Sequence, residues 1–418
     1  MTTPPGSMPE ATRRNARLQI VANALQQAGD EVTNAKTVLP WLLGGLGAPG
    51  LFVAMLVPVR ESGSMLPQAS LVPIVTARVR RRGFWVAGAL AQGAVAVGLG
   101  LTALTASGAV AGVLIVLLLA VLALSRSLCS LTGKDVLGRT VPKGDRGRIT
   151  GTATAAGGLV ALTLGLVLRW RGADLSTGTI AWLLVAGGAT WAVAAAVFSR
   201  VDESVADTPD PADTDDDGWL AVAWYTFRGD RPFRRFVIVR ALLLVSALSP
   251  PFLVAASQSG DAGGLAGLGG FVLASGVSAL IGGRLFGAAA DRSSRVLMAG
   301  CAAAASAVGL AMSAAIALGH TDAMLLAGAF FVLSVIHLGI RVGRKTYVVD
   351  LAEGDERTEY VAVSNTIMGA VLLVVGGITA GLATLGSAVA LAFLGVIGLA
   401  GAVLGMRLPE VSRRASRG

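Results

Sequence analysis

Histidine and cysteine are almost absent. The chain of 418 residues has two of each, too few for a metal cluster and a poor basis for a cysteine nucleophile. Cys129 and Cys301 sit far apart in apolar segments and read as small buried hydrophobes, not as a disulfide. No glycine-rich loop ending in Lys-Ser or Lys-Thr is present, so nothing marks an ATP-driven machine. No nucleophile–base pair stands out either, and no enzyme activity or cofactor is expected. Charge is also scarce. Only 14% of residues are charged, against about 25% in soluble domains. No cleavable signal precedes the first apolar segment, so that segment itself is expected to direct insertion.

Apolar residues fill the space that charge leaves. The chain is 54% hydrophobic, with a mean hydropathy of +0.71. One soluble core cannot hide that much apolar surface. The net charge of +9 could suggest a nucleic-acid partner, but its distribution argues otherwise. Segments of about 20 apolar residues occur near 16–42, 50–76, 84–105, 109–133, 149–169, 178–199, 234–257, 265–289, 296–318, 323–343, 360–383 and 386–406. Most of the 34 lysines and arginines fall at the termini or in alternate connections: Arg78 to Arg82, Lys134 to Arg148, Arg344 to Arg357 and Arg407 to Arg417. The intervening connections hold only Arg169 and Arg171. Cytoplasmic loops retain Lys and Arg. The pattern therefore predicts an all-α integral protein of the cytoplasmic membrane with twelve spans, both termini cytoplasmic, the bilayer as its environment and no nucleic-acid partner.

Residues 200–217 are acidic and proline-bearing and read as a flexible linker. Trp219, Trp224, Tyr225 and Phe227 then suggest a short interfacial helix. This stretch, 200–232, divides a six-span unit, 1–199, from a second, 233–418. The units look like repeats. At one offset Gly133, Lys134, Gly144 and Asp145 match Gly343, Arg344, Gly354 and Asp355. At another, Ser62-Gly63 and Arg82 match Ser275-Gly276 and Arg295. Parallel repeats of this kind place a solute site near the membrane midplane between them.

The segment Gly283 to Arg295, GRLFGAAADRSSR, resembles the G-x-x-x-D-R-x-x-R loop of the major facilitator superfamily, with Gly287, Asp291, Arg292 and Arg295 at the pattern positions. The glycine allows close helix approach, and the acid and arginines can tie neighbouring helices together. The equivalent stretch after span two, TARVRRRGF, keeps the basic residues but has Arg78 where the acid would stand. The resemblance implies two pseudo-symmetric six-helix bundles and a monomeric secondary transporter working by alternating access. It also implies a cavity lined by spans one, four, seven and ten.

The residues themselves place charge in those spans. Asn23, Gln27, Asp30 and Asn34 are spaced 4, 3 and 4 and share an arc of about 60° on a helix. Glu31 lies beside this stripe and Lys36 beyond it. Arg60 and Glu61 lie in span two, Arg126 in span four, Arg240 in span seven before Pro250 and Pro251, and His337 and Arg341 in span ten. Arg284 lies near a span end and suits a structural role. A cation at bilayer depth costs roughly 2.5–3.5 kcal/mol even on insertion scales. The six cations Lys36, Arg60, Arg126, Arg240, Arg284 and Arg341 face three acids, Asp30, Glu31 and Glu61. An anionic ligand is the simplest balance, since an arginine fork binds carboxylate or phosphate at two points. The expected solute site therefore comprises Asn23, Gln27, Asn34, Arg60, Arg126, Arg240, His337 and Arg341, with Asp30, Glu31 and Glu61 carrying coupled protons and Asp30 foremost. Two other readings remain open on the sequence: an exporter of cationic or amphipathic compounds, and a transporter-like membrane sensor or scaffold. Asp30 or Glu61 can also pair with an arginine purely structurally.

Overall fold

The computed structural model describes residues 10–67, 71, 74–75, 78–141, 146–171, 176–203, 225, 227–258, 265–351 and 356–411. The described residues are all helix and turn. The first part of the chain forms α1 (Glu10–Val32), α2 (Val38–Gly45), α3 (Gly50–Met65), α4 (Arg82–Thr105), α5 (Gly108–Thr140), α6 (Arg146–Arg171) and α7 (Thr177–Phe198). The second forms α8 (Arg231–Leu242), α9 (Val245–Leu248), α10 (Pro250–Ser257), α11 (Leu265–Leu285), α12 (Gly287–Ala317), α13 (Ala323–Leu351), α14 (Glu356–Ala383) and α15 (Ser387–Met406). Most of the expected linker, and Trp219 and Trp224 of the expected interfacial helix, lie outside the described residues; 227–229 are helical.

Among the described residues, eight stretches are long and apolar enough to cross a membrane: α4, α5, α7, the run from α8 to α10, α15 and most of α12, α13 and α14. Helix α5 shows why lipid is the right neighbour. Val110, Val113, Leu114, Leu117, Val121 and Leu124 recur at helical spacing on one face, and all are exposed. The opposite residues, including Ile115, Leu119 and Leu122, are fully buried. An apolar stripe of that length left open to water would be an aggregation surface; in a bilayer it needs no partner. At 1.5 Å per residue, the 33 residues of α5 reach about 50 Å, beyond a hydrocarbon core of about 30 Å. Lys134 and Arg139, expected in a connection, are instead carried on this helical extension. The protein is an integral membrane protein.

Two expected spans are interrupted within their sequence outline. The first is not one helix over 16–42. It breaks between Val32 and Val38, just ahead of Pro40 in the first turn of α2, which has no N–H for the Lys36 carbonyl. The Asn34 side chain accepts from the Lys36 backbone N–H at 2.8 Å, a local turn bond that competes with the helical ladder. The seventh breaks at 243–244 and again at Ser249, directly before its prolines. Pro250 and Pro251 open α10, where the missing N–H costs nothing.

Packing ties the start of α1 to the ends of α5 and α7, and the end of α15 to the first part of α12. Asn15 exchanges hydrogen bonds with Asp202, Gln19 donates to Thr140 at 2.8 Å, and Arg295 donates to the Leu408 carbonyl at 2.9 Å. At the other end α2 packs against α10. Leu39, Leu42, Leu43, Phe252 and Leu253 are buried there, and Gln258 donates to the Trp41 carbonyl at 2.8 Å. Two long helix pairs join the first set of helices to the second: α3 with α14 and α6 with α11. Both depend on small residues. A Cβ on Gly376 of α14 would lie 2.2 Å from the Pro58 ring, and one on Gly276 of α11 would lie 2.8 Å from the Leu162 backbone nitrogen. Gly157 packs against the Gln27 side chain, whereas Gly377 meets nothing within 4 Å.

Candidate functional site

Asp30 sits near the end of α1, between two arginines from different helices. Its Oδ1 accepts from Arg60 Nη2 at 2.7 Å, and its Oδ2 lies 2.6 Å from Arg126 Nη1. Each carboxylate oxygen thus has its own guanidinium, and α1, α3 and α5 are held together by charge-assisted contacts, which are stronger than neutral ones. The triad is not sealed. The Arg126 side chain keeps 28% of its surface accessible and Asp30 15%, although Arg126 lies well inside α5. Glu31, the next residue, accepts from Asn34 Nδ2 at 3.2 Å.

The break after α1 leads to a second group. Lys36 lies within electrostatic range of Glu61, Arg341 and Arg344, and His337 senses the same three cations. Arg341 is exposed and Arg344 half-buried. His337 Nδ1 shares a hydrogen bond with Ser246 of α9 at 3.0 Å. His337, Arg341 and Arg344 follow a 4, 3 spacing along α13 and therefore share a face. Arg344 had been read as part of the following connection; α13 continues to Leu351, so this arginine joins the stripe. Arg126 and Arg341 stand equally far from the starts of their helices, Gly108 and Ala323, so the two groups occupy similar depths.

Other expected residues take different places. Arg240 is buried, and its two Nη atoms donate to Ser364 at 2.7 Å and Asn365 at 2.9 Å. It fastens α8 to α14. Asn23 donates to the Gln19 carbonyl of its own helix. The surroundings of Gly287 and of the Arg284 and Asp291 side chains lie outside the described residues. Arg292 is exposed, and Arg295 lies 3.6 Å from Glu410. A polar face that the sequence reading missed also lies on α1: Asn15, Gln19 and Gln26 are all buried. The signal was present, since 15, 19 and 26 lie one and three turns apart, but the charged stripe beside them dominated the reading.

The acid absent from the loop before α4 is supplied from elsewhere. Glu203, just after α7, accepts from the Arg81 and Arg82 backbone N–H groups at 2.8 and 3.0 Å, capping the start of α4 where free N–H groups favour an anion. Asp135 of α5 pairs with Arg81 at 2.6 Å and Arg139 at 3.1 Å. Glu410 follows α15 in the corresponding way and accepts from Ser293. Replacing Glu203 by Ala leaves those backbone donors buried and unpaired, at a cost of about 1–3 kcal/mol. We expect a lower thermal unfolding midpoint in detergent, with Glu203→Gln intermediate. An unchanged midpoint for Glu203→Ala would refute the capping role.

No protein-family model and no curated protein matches the sequence. Solved structures do match its shape. A POT family transporter in complex with 5-aminolevulinic acid superposes with a TM-score of 0.72 at 12% identity, over 93% of this chain and 95% of its own. A D-xylose–proton symporter gives 0.71 at 14%, over 96% and 98%. A nucleoside transporter gives 0.71 at 11%, over 96% and 99%. These neighbours are transporters, and the chain shares their fold.

Proposed function

We propose that the protein is a secondary active transporter that moves a small organic anion or zwitterion by alternating access, coupled to protons. The reading includes twelve crossings, with α1–α2 and α8–α10 each counted as one broken span. It also includes two six-helix units, 1–199 and 233–418, joined by 200–232, with both termini in the cytoplasm. Matching packing supports the two units: α4 lies against α5 and α7 as α12 lies against α13 and α15. The basic residues Arg78 to Arg82, Lys134 and Lys345 gather at the end that holds the termini, which agrees with a cytoplasmic face. With α2 and α10 packed at the opposite end, the molecule as described would be open toward the cytoplasm.

The single observation behind the functional reading is the solvent-accessible Asp30–Arg60–Arg126 triad deep in a membrane bundle, facing further cations on α13. An intramembrane ionisable group costs several kcal/mol and marks solute or proton pathways. A protonatable acid between arginines offers one group that can release its partners as it takes a proton. The cationic-exporter reading is disfavoured by the same geometry, because Asp30 is already held by two guanidiniums.

The test is flux in proteoliposomes carrying a pH-sensitive dye. Organic anions, zwitterions, cations and neutral sugars are added in turn. Proton entry driven by anions or zwitterions is the expected result. Proton movement only with cations would transfer the assignment to the exporter. Binding without flux across the whole panel would leave a sensor or scaffold in its place.

A further inference from the structure

Charge binds each helix set internally, whereas neutral groups join one set to the other. The pairs of Asp30 with Arg60 and Arg126, and of Asp135 with Arg81 and Arg139, lie within the first set. The pair of Arg295 with Glu410 lies within the second. Between the sets, Ser62 of α3 donates to the Gly369 carbonyl of α14 at 2.7 Å. At the mouth closed by α2 and α10, Gln258 Nε2 donates to the Trp41 carbonyl at 2.8 Å. Helix α2 is anchored on the first set, where the Gly108 N–H donates to the Leu46 carbonyl at 2.8 Å. Gln258 directly follows the last turn of α10. Its amide therefore spans the mouth from one set to the other.

Two details separate this contact from ordinary packing. Gln258 Oε1 is buried without a hydrogen-bond partner. Closing the mouth gains one neutral bond and strips water from an oxygen that finds no replacement, so the amide stands near balance between closed and open. The second detail is Gly44, one turn beyond Trp41. A Cβ there would lie 1.8 Å from Gln258 Oε1, 2.6 Å from its Cδ and 3.0 Å from its Nε2. The backbone does not call for glycine at this position: Gly44 lies inside α2 and takes no positive φ, and alanine is the better helix former. What the missing side chain leaves is room for the amide.

We propose that Gln258 and Gly44 form a neutral latch that holds the α2–α10 mouth shut and sets how often it opens. The latch rests on the transporter reading for its role in a cycle but not for its existence, and the test separates the two.

The experiment measures the distance between nitroxide labels at Ser107→Cys and His320→Cys in the full-length protein, in lipid nanodiscs at pH 8, by pulsed electron paramagnetic resonance. Both positions are exposed, one on each helix set, at the α2–α10 end. Cys129 and Cys301 are replaced by alanine in every sample, the parent included. Gly44→Ala pushes the amide off its acceptor. Gln258→Glu places there an ionised carboxylate with no hydrogen to donate. Each should raise the ratio of long to short distances about two- to tenfold, the range that one neutral hydrogen bond supports. In a Gln258→Ala protein, adding Gly44→Ala should change nothing, because the atoms it would strike are gone. An unchanged distribution in Gly44→Ala overturns the latch, and so does equal widening by Gly44→Ala with and without the glutamine. Should Gly44→Ala not yield monodisperse protein, Gln258→Glu carries the comparison, and an unchanged distribution there overturns the latch. Solute flux is measured in proteoliposomes on the same proteins without label. A widened mouth with no flux in any of them would remove the transporter reading and leave the latch. Flux with an unchanged mouth in both variants would do the reverse.

Discussion

Asp30→Asn should abolish uphill solute accumulation driven by a pH gradient while leaving solute-for-solute exchange. The amide keeps the shape of the carboxyl group but holds no proton that can be gained or lost. It also presents Arg60 and Arg126 with a neutral partner, as protonation of Asp30 would. Breaking a fully buried ion pair by removing one partner costs about 3–5 kcal/mol. The loss here should be smaller, because Asp30 and Arg126 retain solvent access. The protein should therefore fold, with a lower unfolding midpoint. We expect gradient-driven accumulation in proteoliposomes to fall by about tenfold or more, equivalent to at least about 1.4 kcal/mol of lost driving force. Asp30→Glu should restore part of it. If Asp30→Asn still accumulates solute in response to pH, the coupling residue lies elsewhere, and Glu61 is the next to substitute.

Gly276→Leu should stop transport by a wholly different route. The α6–α11 pair is in backbone contact at two places. A Cβ on Gly276 would lie 2.8 Å from the Leu162 nitrogen, and one on Gly165 would lie 2.6 Å from the Leu273 nitrogen. Neither neighbour is a flexible chain end that could swing away. A leucine must push the helices apart, and overpacking of this sort costs typically about 1–3 kcal/mol. Association of membrane helices relies on such close approach, since lipid tails compete equally for apolar surface. We expect the unfolding midpoint to drop and flux to fall about tenfold. Gly377→Leu, at a position with nothing within 4 Å, should be silent in both assays. Equal behaviour of the two variants would mean that the α6–α11 contact is not essential to the working cycle.

The apolar segments and their basic connections were legible because a bilayer imposes a simple rule on composition. The Asp30 stripe was legible for the same reason: four polar residues on one helix face have no place against lipid. That Asp30 would meet both Arg60 and Arg126 was one of several pairings the sequence allowed, and only packing selected it. The break around Lys36 had two local signals, the Asn34 side chain and Pro40 in the first turn of α2, which the continuous apolar run concealed. In span seven the prolines marked the interruption at Ser249, but nothing local marked the earlier one at 243–244. Arg344 was assigned to a connection because a cluster of cations marks a membrane boundary; its spacing from His337 and Arg341 carried the better signal. Arg240 was expected at the solute site on charge alone, and its partners Ser364 and Asn365 are more than a hundred residues away. The acids that complete the basic loop before α4, Asp135 and Glu203, lie 54 and 122 residues from Arg81. Those pairings depend on tertiary contacts that no local pattern encodes.

The two interrupted spans bear on how the molecule would respond to its lipid. Helices α2 and α10 have eight residues each, or about 12 Å of rod. Helix α2 is joined to α1 through an interruption at 33–37, and α10 to α8 through the short α9 with interruptions at 243–244 and Ser249. A mouth closed by two such stubs can open by swivelling them alone. Long helices that tilt as units must reshape their apolar belt against the surrounding acyl chains, and mismatch with membrane thickness then adds to the cost. The stubs present little of that belt. Release at the α2–α10 end should consequently proceed at similar rates in thin and thick bilayers, whereas any step that shifts α5, with its long lipid-facing stripe, should slow as the match worsens.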